Sequence, residues 1–135
     1  MDKKIIFTVG AFSLIILILG YIIFGSQNKK NTQIKIPSRE TNVYYYGETC
    51  PHCKDVQKWM NENKVEQKIK IEKKEVWNNQ KNAQELNKVA ENCGLNISSI
   101  GVPFLYSDGK CFIGTPDVIK QIENKIKNFN NNQQK

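Results

Sequence analysis

The sequence predicts a small α/β domain with the element order β-α-β-α-β-β-α, preceded by one transmembrane helix. Three observations carry this reading. A charge-free apolar run, residues 5–24, stands ahead of a polar remainder. Short β-branched or aromatic segments then alternate with segments whose apolar residues recur every three or four positions. Asp108-Gly109, between two such short segments, is a strong hairpin signal. The chain has 135 residues. Beyond the apolar run there is room for one compact domain, which excludes a second catalytic domain or a large cofactor-binding fold.

The run reads IIFTVGAFSLIILILGYIIF. At about 1.5 Å per residue it would span roughly 30 Å, the thickness of a bilayer's hydrocarbon core. A cleaved signal has a shorter apolar core and small residues at its cleavage site; this run ends in YIIFGSQN. Residues 1–25 are therefore expected to form an uncleaved single-pass anchor. Charge does not choose its orientation, because Lys3 and Lys4 face Lys29, Lys30, Lys35 and Arg39 across the run. Residues 26–41, polar with Gly, Ser, Asn and Pro, are expected to be a flexible tether. Residues 42–129 are the domain, and 130–135 (NNNQQK) a disordered tail. The net charge of +7 comes mostly from scattered lysines. No Arg-rich or aromatic-interleaved stripe points to nucleic acid.

Within the domain, VYYY at 43–46 is a strand. A helix begins near Cys50-Pro51, with Pro in the favoured first turn. Cys53, Val56, Trp59 and Met60 share one face of it. Ile69 and Ile71 alternate with charged residues as far as Val76, a second strand with one wet face. Residues 79–92 are a helix with the stripe Ala83, Leu86, Val89 and Ala90, stopped at Cys93-Gly94. Residues 102–106 and 110–113 are the hairpin strands. Thr115-Pro116-Asp117 caps a last helix whose face is Val118, Ile119, Ile122, Ile126 and Phe129. The first two strands, joined through a helix, should be parallel.

Of four cysteines, two form Cys50-Pro51-His52-Cys53 between the first strand and the first helix. A helix N-terminus favours negative charge, so a thiolate is stabilised at Cys50, and His52 as cation or donor adds to this. Cys53, one turn on and facing the apolar stripe, suits a shielded resolving thiol. Two other readings compete: a fixed structural disulfide, and a zinc site completed by Cys93 and Cys111. The spacing C-x2-C-x39-C-x17-C lacks the second close pair of a zinc ribbon. Cys93 and Cys111 are either a structural disulfide or separate buried thiols.

A strand, CPHC at a helix start, and Gly101-Val102-Pro103-Phe104 opening a hairpin about 50 residues later together resemble the thioredoxin superfamily. The absence of an extra strand before the CPHC strand makes the domain most similar to glutaredoxin. The Pro-His dipeptide resembles that of DsbA-type disulfide oxidases. The resemblance covers about residues 42–128. It implies a three-layer sandwich, a cis Val102–Pro103 bond beside the cysteines, and pairing of an extended substrate chain with the Val102 backbone. The family's glutathione-holding pattern is reduced here to Gly114-Thr115-Pro116-Asp117, so no cofactor beyond the redox-active disulfide is expected, with glutathione the alternative left open.

These readings converge on an expectation. The chain is a monomeric, membrane-anchored thiol–disulfide oxidoreductase with its domain outside the cytoplasm. Cys50 is the nucleophile, Cys53 the resolving thiol, and Pro51 and His52 set the redox poise. Val102 and Pro103 dock the substrate. Its partners are exported cysteine-containing proteins and a membrane redox protein. Two alternatives remain at this point: an extracytoplasmic reductase of the cytochrome-maturation type, and a metal-binding module using the C-x-x-C.

Overall fold

The computed structural model describes Ser13, residues 16–19 and residues 34–133. The chain divides into two units, Met1–Gln33 and Ile34–Lys135. In the first, Ser13 and residues 16–19 are helical, and Ile16, Leu17, Ile18 and Leu19 are exposed. Among the described residues no helix is long and apolar enough to cross a membrane. The expected anchor falls mostly outside them. The second unit begins at Ile34, so residues 34–41, the end of the expected tether, group with it by contacts.

The second unit builds β1 (Val43–Tyr46), α1 (Pro51–Glu62), β2 (Glu72–Glu75), α2 (Gln80–Asn92), β3 (Phe104–Ser107), β4 (Lys110–Ile113) and α3 (Thr115–Gln133). This is the expected order. The sheet runs β2-β1-β3-β4, with β1 parallel to β2 and antiparallel to β3, and β3 antiparallel to β4. Alternation along the strands sends side chains to opposite faces. Val43, Tyr45, Phe104 and Tyr106 pack with Leu86, Val89 and Ala90 of α2. Tyr44 and Leu105 pack on the other face with Val56 and Met60 of α1 and Val118 and Ile122 of α3. The layers are therefore α2, sheet, and α1 with α3. Burying each of Val56, Met60, Leu105 and Ile122 contributes about 1.5–3 kcal/mol.

Several boundaries differ from the sequence expectation for local reasons. The second strand starts at Glu72, not at 69. Lys68 donates its N–H to Val65 O at 2.9 Å, closing a 3-10 turn at Val65–Gln67, and Ile69 N–H shares that oxygen at 2.9 Å, so the ladder begins only with Glu72 N to Asn42 O. Ile69 and Ile71 still pack against the α1–α3 side of the core. The third strand starts at Phe104 because Val102 and Pro103 form a loop around a cis peptide bond. A second 3-10 turn, Ile97–Ser99, is capped by Asn96 Oδ1 accepting from Ser98 N at 2.9 Å. The last helix runs to Gln133, so residues 130–133 are helical rather than tail.

The stops behave as read. Gly94 takes φ +74 after α2, and Leu95 N donates to Ala90 O. Asp108 and Gly109 both have positive φ, as a two-residue hairpin turn of the primed type needs.

Among the described residues only α2 covers one face of the sheet, and Cys93 at its end is bonded to Cys111 in β4, with Cα atoms 6.2 Å apart. The bridge closes a loop between residues 18 apart, which corresponds to about 3 kcal/mol of chain-entropy stabilisation. Replacing both cysteines by Ala should lower unfolding free energy by about 2–4 kcal/mol in denaturant titrations. A phosphine reductant should destabilise the wild-type chain more than the double variant, in which only the Cys50–Cys53 pair remains to be reduced. Equal stability of the two oxidised proteins would contradict the staple.

Candidate active site

The upper edge of the sheet brings four chain segments together. They are the residues after β2, those after β1, those before β3 and those after β4. β1 is wholly buried through Tyr45 and ends at Tyr46. Gly47 turns the chain, and its carbonyl accepts the Cys50 N–H at 3.2 Å. Cys50 then caps α1 with an extended backbone, φ −69 and ψ 118, and Pro51 follows in the first turn. The cap acceptor is the cysteine's own sulfur: Cys53 N donates to Cys50 Sγ at 3.3 Å. This is an unpaired N–H of a helix start doing what such groups do for anions and caps.

The structure joins most of the expected site residues. The Cys50 thiol reaches Val102 O at 3.7 Å, across 52 residues of sequence. The Val102–Pro103 bond is cis, and Pro103 O accepts from Gly114 N at 2.9 Å, tying this loop to the end of β4. Thr115 Oγ1 donates to His52 O at 3.4 Å, so the start of α3 also meets the CPHC turn. His52 itself is exposed and is held through its backbone. Cys93 and Cys111 do not join the site. They are bonded to each other on the α2 side, so the four-cysteine zinc set is not assembled.

Cys50 and Cys53 are both free and both buried, but differently. Cys50 keeps 5% of its surface and Cys53 none. Burial, and next the hydrogen bond with Cys50, push the Cys53 thiol up to about 12; the Gly47 backbone and the Tyr44 hydroxyl act in the opposite direction. Cys53 is therefore a protonated thiol at neutral pH. Tyr44, under the site, donates its hydroxyl to Cys53 O at 3.2 Å. Burial foremost, then the nearby Cys53, raise that hydroxyl well above its ordinary value, so it stays a donor.

Sequence reasoning placed Tyr44 only in the first strand; the structure puts its hydroxyl under the site. Sequence reasoning missed Trp77. A Cβ placed on Gly47 would lie 2.4 Å from the Trp77 ring, so the indole lies directly against this glycine. It also missed Glu75, whose Oε1 accepts from Trp77 N at 2.7 Å and whose Oε2 accepts from Asn78 N at 2.8 Å and Asn79 N at 3.1 Å. The available signal was a tryptophan isolated in the polar turn Val76-Trp77-Asn78-Asn79.

A pair of cysteines opening a helix, beside a cis-Pro loop and over a four-stranded mixed sheet, defines a thiol–disulfide exchange protein with a thioredoxin-like fold. Comparison with known families narrows this. Residues 42–112, just over half of the chain, match the family model described as Glutaredoxin, and the chain belongs to that family. No curated protein matches the chain.

Two predictions follow the geometry of the site. In the reduced protein at pH 8, iodoacetamide should modify Cys50 at least tenfold faster than Cys53, whose thiolate is only about one part in ten thousand at that pH. Peptide mapping of the alkylated protein reads this, and equal labelling would contradict it. The second concerns Glu75. Desolvation alone would raise its carboxyl, but backbone N–H groups, chiefly those of Asn78 and Trp77, outweigh it and hold it below its ordinary 4.5. A depressed carboxyl contributes stability above the unfolded value, lost as pH falls through the folded one. In a Trp59→Phe background, Trp77 fluorescence should change as pH drops below 4.5, and Glu75→Gln should abolish that titration. Identical titrations with and without Glu75 would contradict it.

Proposed function

We propose that this protein is a membrane-anchored thiol–disulfide oxidoreductase that acts outside the cytoplasm on exported cysteine-containing proteins. Cys50 and Cys53 are its redox pair. The observation that carries the reading is the Cys50 sulfur itself. It sits at the start of α1, receives Cys53 N–H at 3.3 Å, and faces Val102 O at 3.7 Å.

Each step balances as thiol–disulfide exchange. In the reducing direction, Cys50 as thiolate attacks one sulfur of a substrate disulfide. The substrate S–S bond breaks, a mixed disulfide forms, and the leaving thiolate takes a proton. Cys53 then loses its proton and attacks Cys50 Sγ. This closes the Cys50–Cys53 disulfide and frees the second substrate thiol. Two electrons have passed from the dithiol to the substrate. The oxidising direction is the reverse. His52 and Pro51 lie within the motif and set its poise, and the Val102 backbone beside Cys50 docks the substrate chain next to Pro103. The dithiol needs no further cofactor, since it carries the electrons.

The oxidising direction is favoured by the Pro-His dipeptide, which resembles the DsbA type. The Cys93–Cys111 disulfide supports an oxidising compartment, because such bonds persist mainly outside the cytosol. The charge-free run at 5–24 supports the anchor. A membrane redox protein would recharge the pair, and the protein would work as a monomer.

The test uses the full chain in detergent. Cys53→Ala should accumulate a mixed disulfide with an added disulfide-bonded protein, whereas Cys50→Ser should form none and should lose all exchange. Loss of exchange in neither variant would sink the reading. The reduction potential of the pair, measured in glutathione buffers, then gives the direction. A value near roughly −120 mV means a disulfide donor, whereas roughly −270 mV means a reductase and overturns the oxidase reading. A reporter fused after residue 135 and found in the cytoplasm would overturn the compartment.

A further inference from the structure

Trp77 is the aromatic residue whose exposure most needs an explanation. It belongs to neither core cluster, and 54% of its surface is open. An indole left in water by choice of position contributes little to folding. Yet its setting is tightly built. Its backbone N–H is held by Glu75 Oε1, and the next two N–H groups are held by Glu75 Oε2. Asn82 Nδ2 donates to Glu75 O at 2.8 Å, which ties the same turn to the start of α2. Val76 N donates to Tyr46 O at 2.9 Å, the last rung between β2 and β1. The turn is a rigid arm at the edge of the sheet.

That arm grips the loop leading to Cys50 at two consecutive residues. The indole lies so close to Gly47 that a Cβ there would meet Cδ2 and Cε2 at 2.4 Å. Any other residue at 47 would have to displace the ring. Asn78 Nδ2 donates to Glu48 Oε2 at 3.1 Å, the second point of attachment. Gly47 O in turn accepts the Cys50 N–H. The line of contacts runs Trp77, Gly47, Cys50, with no other side chain between.

We propose that Trp77 is a positioning residue: its indole, packed on Gly47, holds the loop that sets the Cys50 sulfur against Val102. This rests on Cys50 being the exchanging thiol. Between Tyr46 and Pro51 the chain has four residues outside regular structure, and Cys50 N to Gly47 O is the bond that shapes them. Without the indole, Gly47 loses the three ring atoms nearest to it, and the loop gains freedom that moves Cys50 Sγ relative to Val102 O. Misplacement of a reacting atom by even 1 Å is costly in rate.

The test compares the wild-type full chain, Trp77→Ala, Trp77→Phe and Gly47→Ala in detergent. Each reduced protein reacts with the small aromatic disulfide 5,5′-dithiobis(2-nitrobenzoate) and, separately, with a disulfide-bonded peptide. In each reaction the Cys50–Cys53 disulfide forms and the probe is cleaved to two thiols. Thermal unfolding is recorded in parallel. Trp77→Ala should slow both reactions by roughly three- to tenfold at unchanged folded fraction, because positioning acts before any substrate is chosen. Trp77→Phe should recover most of the rate. Gly47→Ala, which pushes the ring aside without removing it, should slow both reactions as Trp77→Ala does. Wild-type rates in folded Trp77→Ala and Gly47→Ala would overturn the proposal. So would a loss confined to the peptide, since the indole would then be touching substrate. A loss that merely tracks unfolding in both variants would overturn it too. If the wild-type chain exchanges with neither probe, the functional reading fails first; if it exchanges and the variants match it, only the role of Trp77 fails.

Discussion

The site depends on one strand and the hydroxyls of its two buried tyrosines. β1 lies between β2 and β3, and Val43, Tyr44 and Tyr45 have no exposed surface. Alternation sends Tyr44 toward α1 and α3 and Tyr45 toward α2. A buried phenol must find a partner or lose about 1–3 kcal/mol. Tyr44 finds the Cys53 carbonyl at 3.2 Å, and Tyr45 finds Glu85 Oε1 at 2.8 Å, the oxygen that also takes Lys74 Nζ at 2.6 Å. Each hydroxyl registers one helical layer against the central strand. The start of α1, where the cysteines sit, is thus located by a hydrogen bond from the middle of the sheet as well as by apolar packing.

That placement makes the two cysteines unequal, which a reversible exchange centre requires. The sulfur that meets substrate has to be reachable and at ease as an anion; the other has to wait as a thiol. Cys50 occupies the cap, where helix N–H groups are unpaired. Cys53, three residues later on the inward face, has lost all its surface, and burial holds its proton. Three positions are nearly one turn, so Cys53 lies on nearly the same side as Cys50 but about 4.5 Å further along the axis, inside the buried stripe. Pro51 and His52, between them, are both exposed and leave the rim open.

Much of this was legible in the sequence, and the exceptions have physical causes. The order of elements along the chain, the hairpin and the three helices follow from periodicity and from turn residues whose backbone demands are strict, such as Asp108-Gly109 and Cys93-Gly94. The cis Val102–Pro103 loop was reachable only through family resemblance, since a Val-Pro at a strand start is ordinary in isolation. The misread start of β2 is a case of apolar alternation satisfied by a turn: Ile69 and Ile71 are inside, as the pattern demands, but their backbone is not in the ladder. The contact between Trp77 and Gly47 joins residues 30 positions apart at the tips of neighbouring parallel strands. Nothing local marks it except the oddity of an indole among asparagines.

The second cysteine pair bears on how such a centre can coexist with a structural disulfide. A thiolate competent to attack substrate disulfides is chemically competent to attack Cys93–Cys111, and the outcome would be a scrambled domain. The layers keep Cys53 apart from that bridge. Cys53 rides on α1, which packs on one face of the sheet through Val56 and Met60. Cys93 and Cys111 pack against the cluster on the other face, under α2. Thiol–disulfide exchange needs the attacking sulfur to reach the disulfide directly, and for Cys53 the buried sheet stands between. The same bridge fastens α2, the one helix on its face, whose first turn begins beside Glu75 and the Trp77 arm. The staple and the loop that carries the exchange centre are thus both tied to α2.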